Sequence, residues 1–71
     1  MTPKQARLEH IEGCRELIKE YTTRIIPSLK ANIANPKYSD DVRGGFEGLL
    51  KVSQRELKEA RQHLLELMEF E

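Results

Sequence analysis

Tryptophan is absent from this chain, aromatic residues make up 6% of it, and there is a single cysteine. So few rings leave little to fill the core of a compact mixed fold, whereas a long amphipathic helix needs none. Cys14 has no second thiol with which to close an intramolecular disulfide. Together with the lack of a signal-peptide pattern, this points to a reducing, cytoplasmic setting. Long apolar runs are missing as well. The longest are pairs such as Ile25-Ile26 and Leu64-Leu65, far short of the ~20 residues that cross a bilayer. Charge of one sign is the fourth absence: twelve basic and twelve acidic side chains cancel. The chain thus lacks the positive footprint on which non-specific nucleic-acid affinity rests.

What is present is a 34% charged, 38% hydrophobic chain of 71 residues. That length makes one domain, 1–71, below the size at which a single core comfortably holds a fold. Thr2-Pro3 reads as an N-cap followed by proline at the first helical position, where its missing N–H costs nothing. Leu8, Ile11, Ile18, Ile25 and Leu29 then fall on one helical stripe, widened by Cys14, Leu17 and Tyr21 and extended by Ile33. Pro27 removes a backbone bond and clashes with the carbonyl of Thr23, at about 3 kcal/mol. Helix one is therefore either kinked there or split near Ile25. The stripe keeps its phase through Leu29 and Ile33, so the expectation is one helix, 3–35, kinked near 23–27.

Asn35-Pro36 reads as a stop, with Asn35 in the left-handed conformation that often closes a helix. A turn over 36–39 follows, and Ser39-Asp40-Asp41 opens a second helix, 40–70, with a cap and two acids at the positive end of the dipole. Its expected stripe is Val42, Phe46, Leu49, Ser53, Leu57, Ala60, Leu64 and Leu67. The expected fold is all-α: an antiparallel helical hairpin.

Two helices cover one stripe of each other, and the pattern here is wider. Leu17 with Ile18, Ile25 with Ile26 and Leu49 with Leu50 leave apolar residues over, as does the run Leu64-Leu65-Glu66-Leu67-Met68-Glu69-Phe70. Each buried leucine contributes about 1.5–3 kcal/mol, comparable to the whole stability of so small a domain. Pairing of two hairpins into a homodimeric four-helix bundle is the simplest remedy. Ile26, Leu50, Leu64, Leu65, Met68 and Phe70 are the expected contacts with a second copy or another protein. In outline such a hairpin resembles other short helical-hairpin proteins, such as the plasmid copy-number regulator Rop and the small helical chaperone subunits of type III secretion needles. The resemblance is one of shape across the chain and transfers no residue role.

Gly44, Gly45 and Gly48 forfeit about 1 kcal/mol each in a helix relative to alanine. Three accounts offset that: close packing of another backbone, a helix that starts near Gly45, or exposed amides that hold an anion. An anion site would draw on Arg24, Lys37, Tyr38, Arg43, Gly44 and Gly45, with Tyr38 stacking on a base and the cations meeting phosphate. The glycine spacing matches neither a Walker A loop nor a dinucleotide fingerprint. If the hairpin turns near Lys37, facing positions sum to about 74 and His63 comes near His10 and Cys14. A fourth ligand is lacking, so no metal site and no cofactor are expected. No nucleophile–base set is recognisable, and a thin hairpin offers no deep pocket. The expected function is a non-catalytic adaptor, chaperone or inhibitor. The alternative is an oligomer that binds a small anion such as a nucleotide.

Overall fold

The computed structural model describes residues 2–69. They form α1 (Pro3–Glu20), a π-helical stretch (Tyr21–Ile25), α2 (Ile26–Ala34) and α3 (Asp40–Glu69). The first three follow one another without a break, because the junction residues Tyr21, Ile25 and Ile26 all keep right-handed helical angles. They make one arm of an all-α hairpin, and α3, packed along all of it, makes the other. The molecule measures 51 × 15 × 15 Å with a radius of gyration of 15.9 Å, where a globular chain of this length would have about 11 Å. No helix among the described residues is long and apolar enough to cross a membrane.

The first arm opens with a capping box. Gln5 N–H donates to Thr2 Oγ1 at 3.2 Å and Thr2 N–H donates to Gln5 Oε1 at 3.0 Å, so two otherwise orphaned donors are satisfied. The arm does not stop at Ile25. Just before Pro27, Ile26 N–H reaches the carbonyl of Tyr21, five residues back. Thr22 Oγ1 donates to the Ile18 carbonyl at 2.9 Å, and Thr23 Oγ1 to that of Lys19 at 2.6 Å. Such hydroxyl bonds to the preceding turn loosen regular α geometry. The wide turn also has a use in the sequence pattern. Ile11, Cys14, Ile18, Tyr21, Ile25, Leu29 and Ile33, all buried or half-buried, are spaced by three, four, three and then four throughout. A stretch bonded i to i+5 takes up the extra residue, which keeps both halves of the arm aimed at α3.

At the bend Asn35 has φ −80° and ψ 115°, and no residue other than glycine has positive φ among those described. The expected left-handed Asn35 is therefore corrected to an extended one. Steric conflict with the ring of Pro36 pushes the preceding residue out of helical space and toward the extended region. Its side chain still shapes the turn, since Asn35 Oδ1 accepts from Lys37 N–H at 3.0 Å. Ser39 then caps α3: its Oγ accepts from Val42 N–H at 3.3 Å and its carbonyl from Arg43 N–H at 2.9 Å. The helix begins at Asp40, which sets aside a start near Gly45.

The seam of α3 is Phe46, Leu50, Ser53, Leu57, Ala60, Leu64 and Leu67, each buried or half-buried. Its steps of four and three alternate throughout, the spacing of a coiled-coil seam. This corrects the expected stripe at two positions: Leu49 is 55% and Val42 45% exposed. Counting back from Ser53 in heptad steps reaches Leu50 and Phe46, and each of the two exposed residues lies one position or more off that line. Leu8, expected on the first arm's stripe, is likewise 45% exposed. The small residues Ser53 and Ala60, each 8% exposed, lie on the seam with Leu57 (8%), and Ile11 (5%) is the buried residue of the first arm.

The register of the two arms differs from a sum of 74. Tyr21 meets Glu56, and Ile25 with Ser53 and Leu29 with Leu49 line one groove, so facing positions sum to 77 or 78. The bend is centred later than Lys37 because Ser39, rather than Lys37, hands the chain to α3. His63 is accordingly level with Cys14 and not with His10. Truncation of the seam should be far costlier than truncation of the exposed leucine at the open end. Leu57→Ala is expected to lose about 2–4 kcal/mol and Leu65→Ala to stay within about 0.5 kcal/mol for the folded hairpin, read by chemical denaturation at a concentration held constant.

Candidate interaction surface

Among the described residues three apolar side chains, Ile11, Leu57 and Ala60, are buried, while Leu8, Leu17, Val42, Leu49, Val52, Leu65 and Met68 are each more than 40% exposed. The accessible surface is 5539 Å², about 970 Å² more than a compact globular monomer of this mass would show. The surplus belongs to the whole surface of a rod measuring 51 × 15 × 15 Å, since an elongated body exposes more area than a compact one of equal mass.

These residues are not scattered. On one flank of the α3 seam run Val42, Gly45, Leu49 and Val52, spaced by three, four and three and so held on one helical face. Glu56 continues that line seven residues beyond Leu49. Tyr21 donates its hydroxyl hydrogen to Glu56 Oε2 from the same side, and Leu17 (45% exposed) stands one turn before Tyr21. Between the arms on this flank lies a groove of about 320 Å³ lined by Arg24, Ile25, Ser28, Leu29, Leu49 and Ser53. The opposite flank of α3 is polar through Glu47, Lys51, Gln54, Lys58 and Arg61. It turns apolar only at the open end, where Leu65 is 58% and Met68 43% exposed, near the level of Leu8 on the first arm.

Of the contacts expected from sequence, Leu65 and Met68 are exposed, whereas Ile26, Leu50 and Leu64 are half-buried in the hairpin. Phe70 lies outside the described residues. The flank of Leu17, Val42, Leu49 and Val52 was not singled out from sequence. Its signal is the three-four-three spacing beside the seam, legible only once the seam is known to pass through Leu50.

The residues proposed for an anion do not converge. Arg24 Nε bonds Glu20 Oε2 at 2.5 Å, and its position opposite Ser53 places it about 20 Å along the axis from the turn. Arg43 Nη2 bonds Asp40 Oδ1 at 2.7 Å. Gly44 and Gly45 follow the first turn of α3, so their amides belong to the helix ladder. Tyr38 packs edge-on against Phe46, ring centroids 5.2 Å apart at 68°. The shallow surface lined by Ile33, Asp40, Arg43, Gly44 and Glu47 includes two carboxylates, which disfavour an anion. Among the described residues no group of three or more His, Cys, Asp or Glu is placed to hold a metal ion.

The glycines have room. A Cβ built at Gly13, Gly44, Gly45 or Gly48 would meet nothing within 4 Å, so no backbone of this chain requires them. Gly44→Ala, on the polar flank, should raise stability by about 1 kcal/mol, measured by thermal and chemical denaturation.

The fold alters the chemistry of Tyr21. Its bond to Glu56 raises the phenol above the ordinary tyrosine value of 10.0, with burial and the carboxylate charge adding to the effect. A group raised on folding stabilises fully below its unfolded value and loses that contribution as pH climbs through the folded one. In a Tyr38→Phe background, tyrosinate absorbance should therefore appear above pH 10.0, and Glu56→Gln should bring its midpoint down toward that value.

No family model matches the chain, and no curated protein or solved structure matches it.

Proposed function

We propose that this chain is a non-catalytic helical interaction protein that self-associates into a dimeric four-helix bundle and docks a partner protein through apolar residues left uncovered. The observation that carries this reading is the exposure of large apolar side chains: among the described residues Leu8, Leu17, Val42, Leu49, Val52, Leu65 and Met68 are each more than 40% exposed. Exposed apolar side chains grouped on a helix face mark interaction sites. Neutral overall charge favours self-association, because two copies meet without net repulsion. An adaptor, chaperone or inhibitor role fits exposed helix faces, which are surfaces that partner proteins recognise. A cytoplasmic setting suits a half-buried free thiol at Cys14.

Equilibrium sedimentation of the full chain across a wide dilution range tests the first half. The expected result is a dimer mass at micromolar concentration, with a melting midpoint that falls on dilution. A monomer mass with a melt independent of concentration overturns it. For the second half, Leu65→Glu with Met68→Glu should leave the dimer intact and abolish capture of a partner.

A further inference from the structure

We infer that Tyr21–Ile25 is a hinge in the first arm, built around one inserted residue and latched by Tyr21 on Glu56. The device belongs to the single hairpin and does not rest on self-association.

The insertion shows when the two seams are compared. From Leu67 back to Phe46, the buried and half-buried seam of α3 steps by three, four, three, four, three and four. From Ile11 to Ile33, that of the first arm steps by three, four, three, four, four and four. The two agree as far as Ile25 and Ser53, which line one groove. Beyond that level the first arm has one residue more, between Ile25 and Leu29, where Pro27 stands. In regular α-helix the twelve residues from Tyr21 to Ile33 end about 120° past a whole number of turns, against about 20° for eleven. The turn in which Ile26 N–H reaches the Tyr21 carbonyl absorbs that excess.

The same stretch is where the arm is weakest. Pro27 offers no N–H to the Thr23 carbonyl. The hydroxyls of Thr22 and Thr23 bond the carbonyls of Ile18 and Lys19, an alternative to the backbone ladder. None of the five residues is buried. A segment with few buried groups and irregular backbone bonds opens at lower free energy than its flanks. Against opening stands Tyr21, whose hydroxyl donates to Glu56 across the arms. That bond holds the wide turn on α3, and its loss frees the arm to bend and bare the seam at the level of Leu57.

Hydrogen exchange of the full chain, followed amide by amide at one concentration, tests this. In the parent the amides of 22–26 should exchange about 10-fold or more faster than those of Leu17, Ile18, Leu29 and Lys30, after correction for intrinsic rates. Equal protection along the arm overturns the hinge. Tyr21→Phe should speed exchange at 22–26 by about 5-fold and leave the flanks unchanged; no acceleration there overturns the latch. Two further variants separate the insertion from the proline. Pro27→Ala keeps the extra residue, so fast exchange at 22–26 should persist. A chain lacking Pro27 takes the stepping of α3, so exchange at 22–26 should slow to that of the flanks and the melting midpoint should rise by about 5 °C. The insertion is overturned if Pro27→Ala alone evens out the arm, or if the shortened chain is less stable or unfolded.

Discussion

A helix packed against one neighbour hides one stripe of its surface, and this molecule has only two arms. That limit governs the rest. The seam of α3 is used up against the first arm, where Leu57, Ala60 and Ser53 reach 8% exposure and Ile11 5%. Several large apolar residues off that line stay in water on a single copy. Leu17, Leu49 and Val52 are such residues, and their exposure is a consequence of geometry rather than of loose packing. A third and fourth helix would remove it, and the dimer proposed above would supply both.

The π-helical stretch serves the same limit. A seam of one residue's width tolerates no drift, yet the first arm holds an extra residue between Ile18 and Ile33. Regular α-helix would carry the later positions round the axis and off α3. The wide turn at Tyr21–Ile25 absorbs the difference, and it sits where Pro27 has already removed a backbone donor and where Thr22 and Thr23 offer hydroxyls to the preceding turn. Tyr21 opens that stretch and bonds Glu56 across the arms. The least regular backbone thus carries the side chain that ties the arms together on the apolar flank.

Much of this was legible in the residues. Thr2-Pro3, Pro27, Asn35-Pro36 and Ser39-Asp40-Asp41 are local signals, because caps and prolines act through the atoms of a single turn, and they mark both arms and the bend. The all-α hairpin and the excess of apolar residues followed from them. The seam was misjudged by one position at Leu49, since leucines at 49 and 50 satisfy helical periodicity equally and only the opposing arm chooses between them. The anion set of Arg24, Lys37, Tyr38, Arg43, Gly44 and Gly45 looked coherent as a list of types. In space Arg24 lies far from the turn, and two of its cations already hold carboxylates.

The sequence by itself determined that this chain is helical, bends once, and has more apolar surface than two helices can hide; propensity, capping and periodicity are local and sum along the chain. The tertiary structure alone decided which surface is left over. Register between the arms depends on where the bend is centred and on the residue absorbed at Tyr21–Ile25. A shift of three in the facing sum moves His63 from the level of Ile11, next to His10, to that of Cys14. It also sets which flank Leu17 shares with Leu49, because position across the hairpin is a property of the pair of helices and of neither one alone.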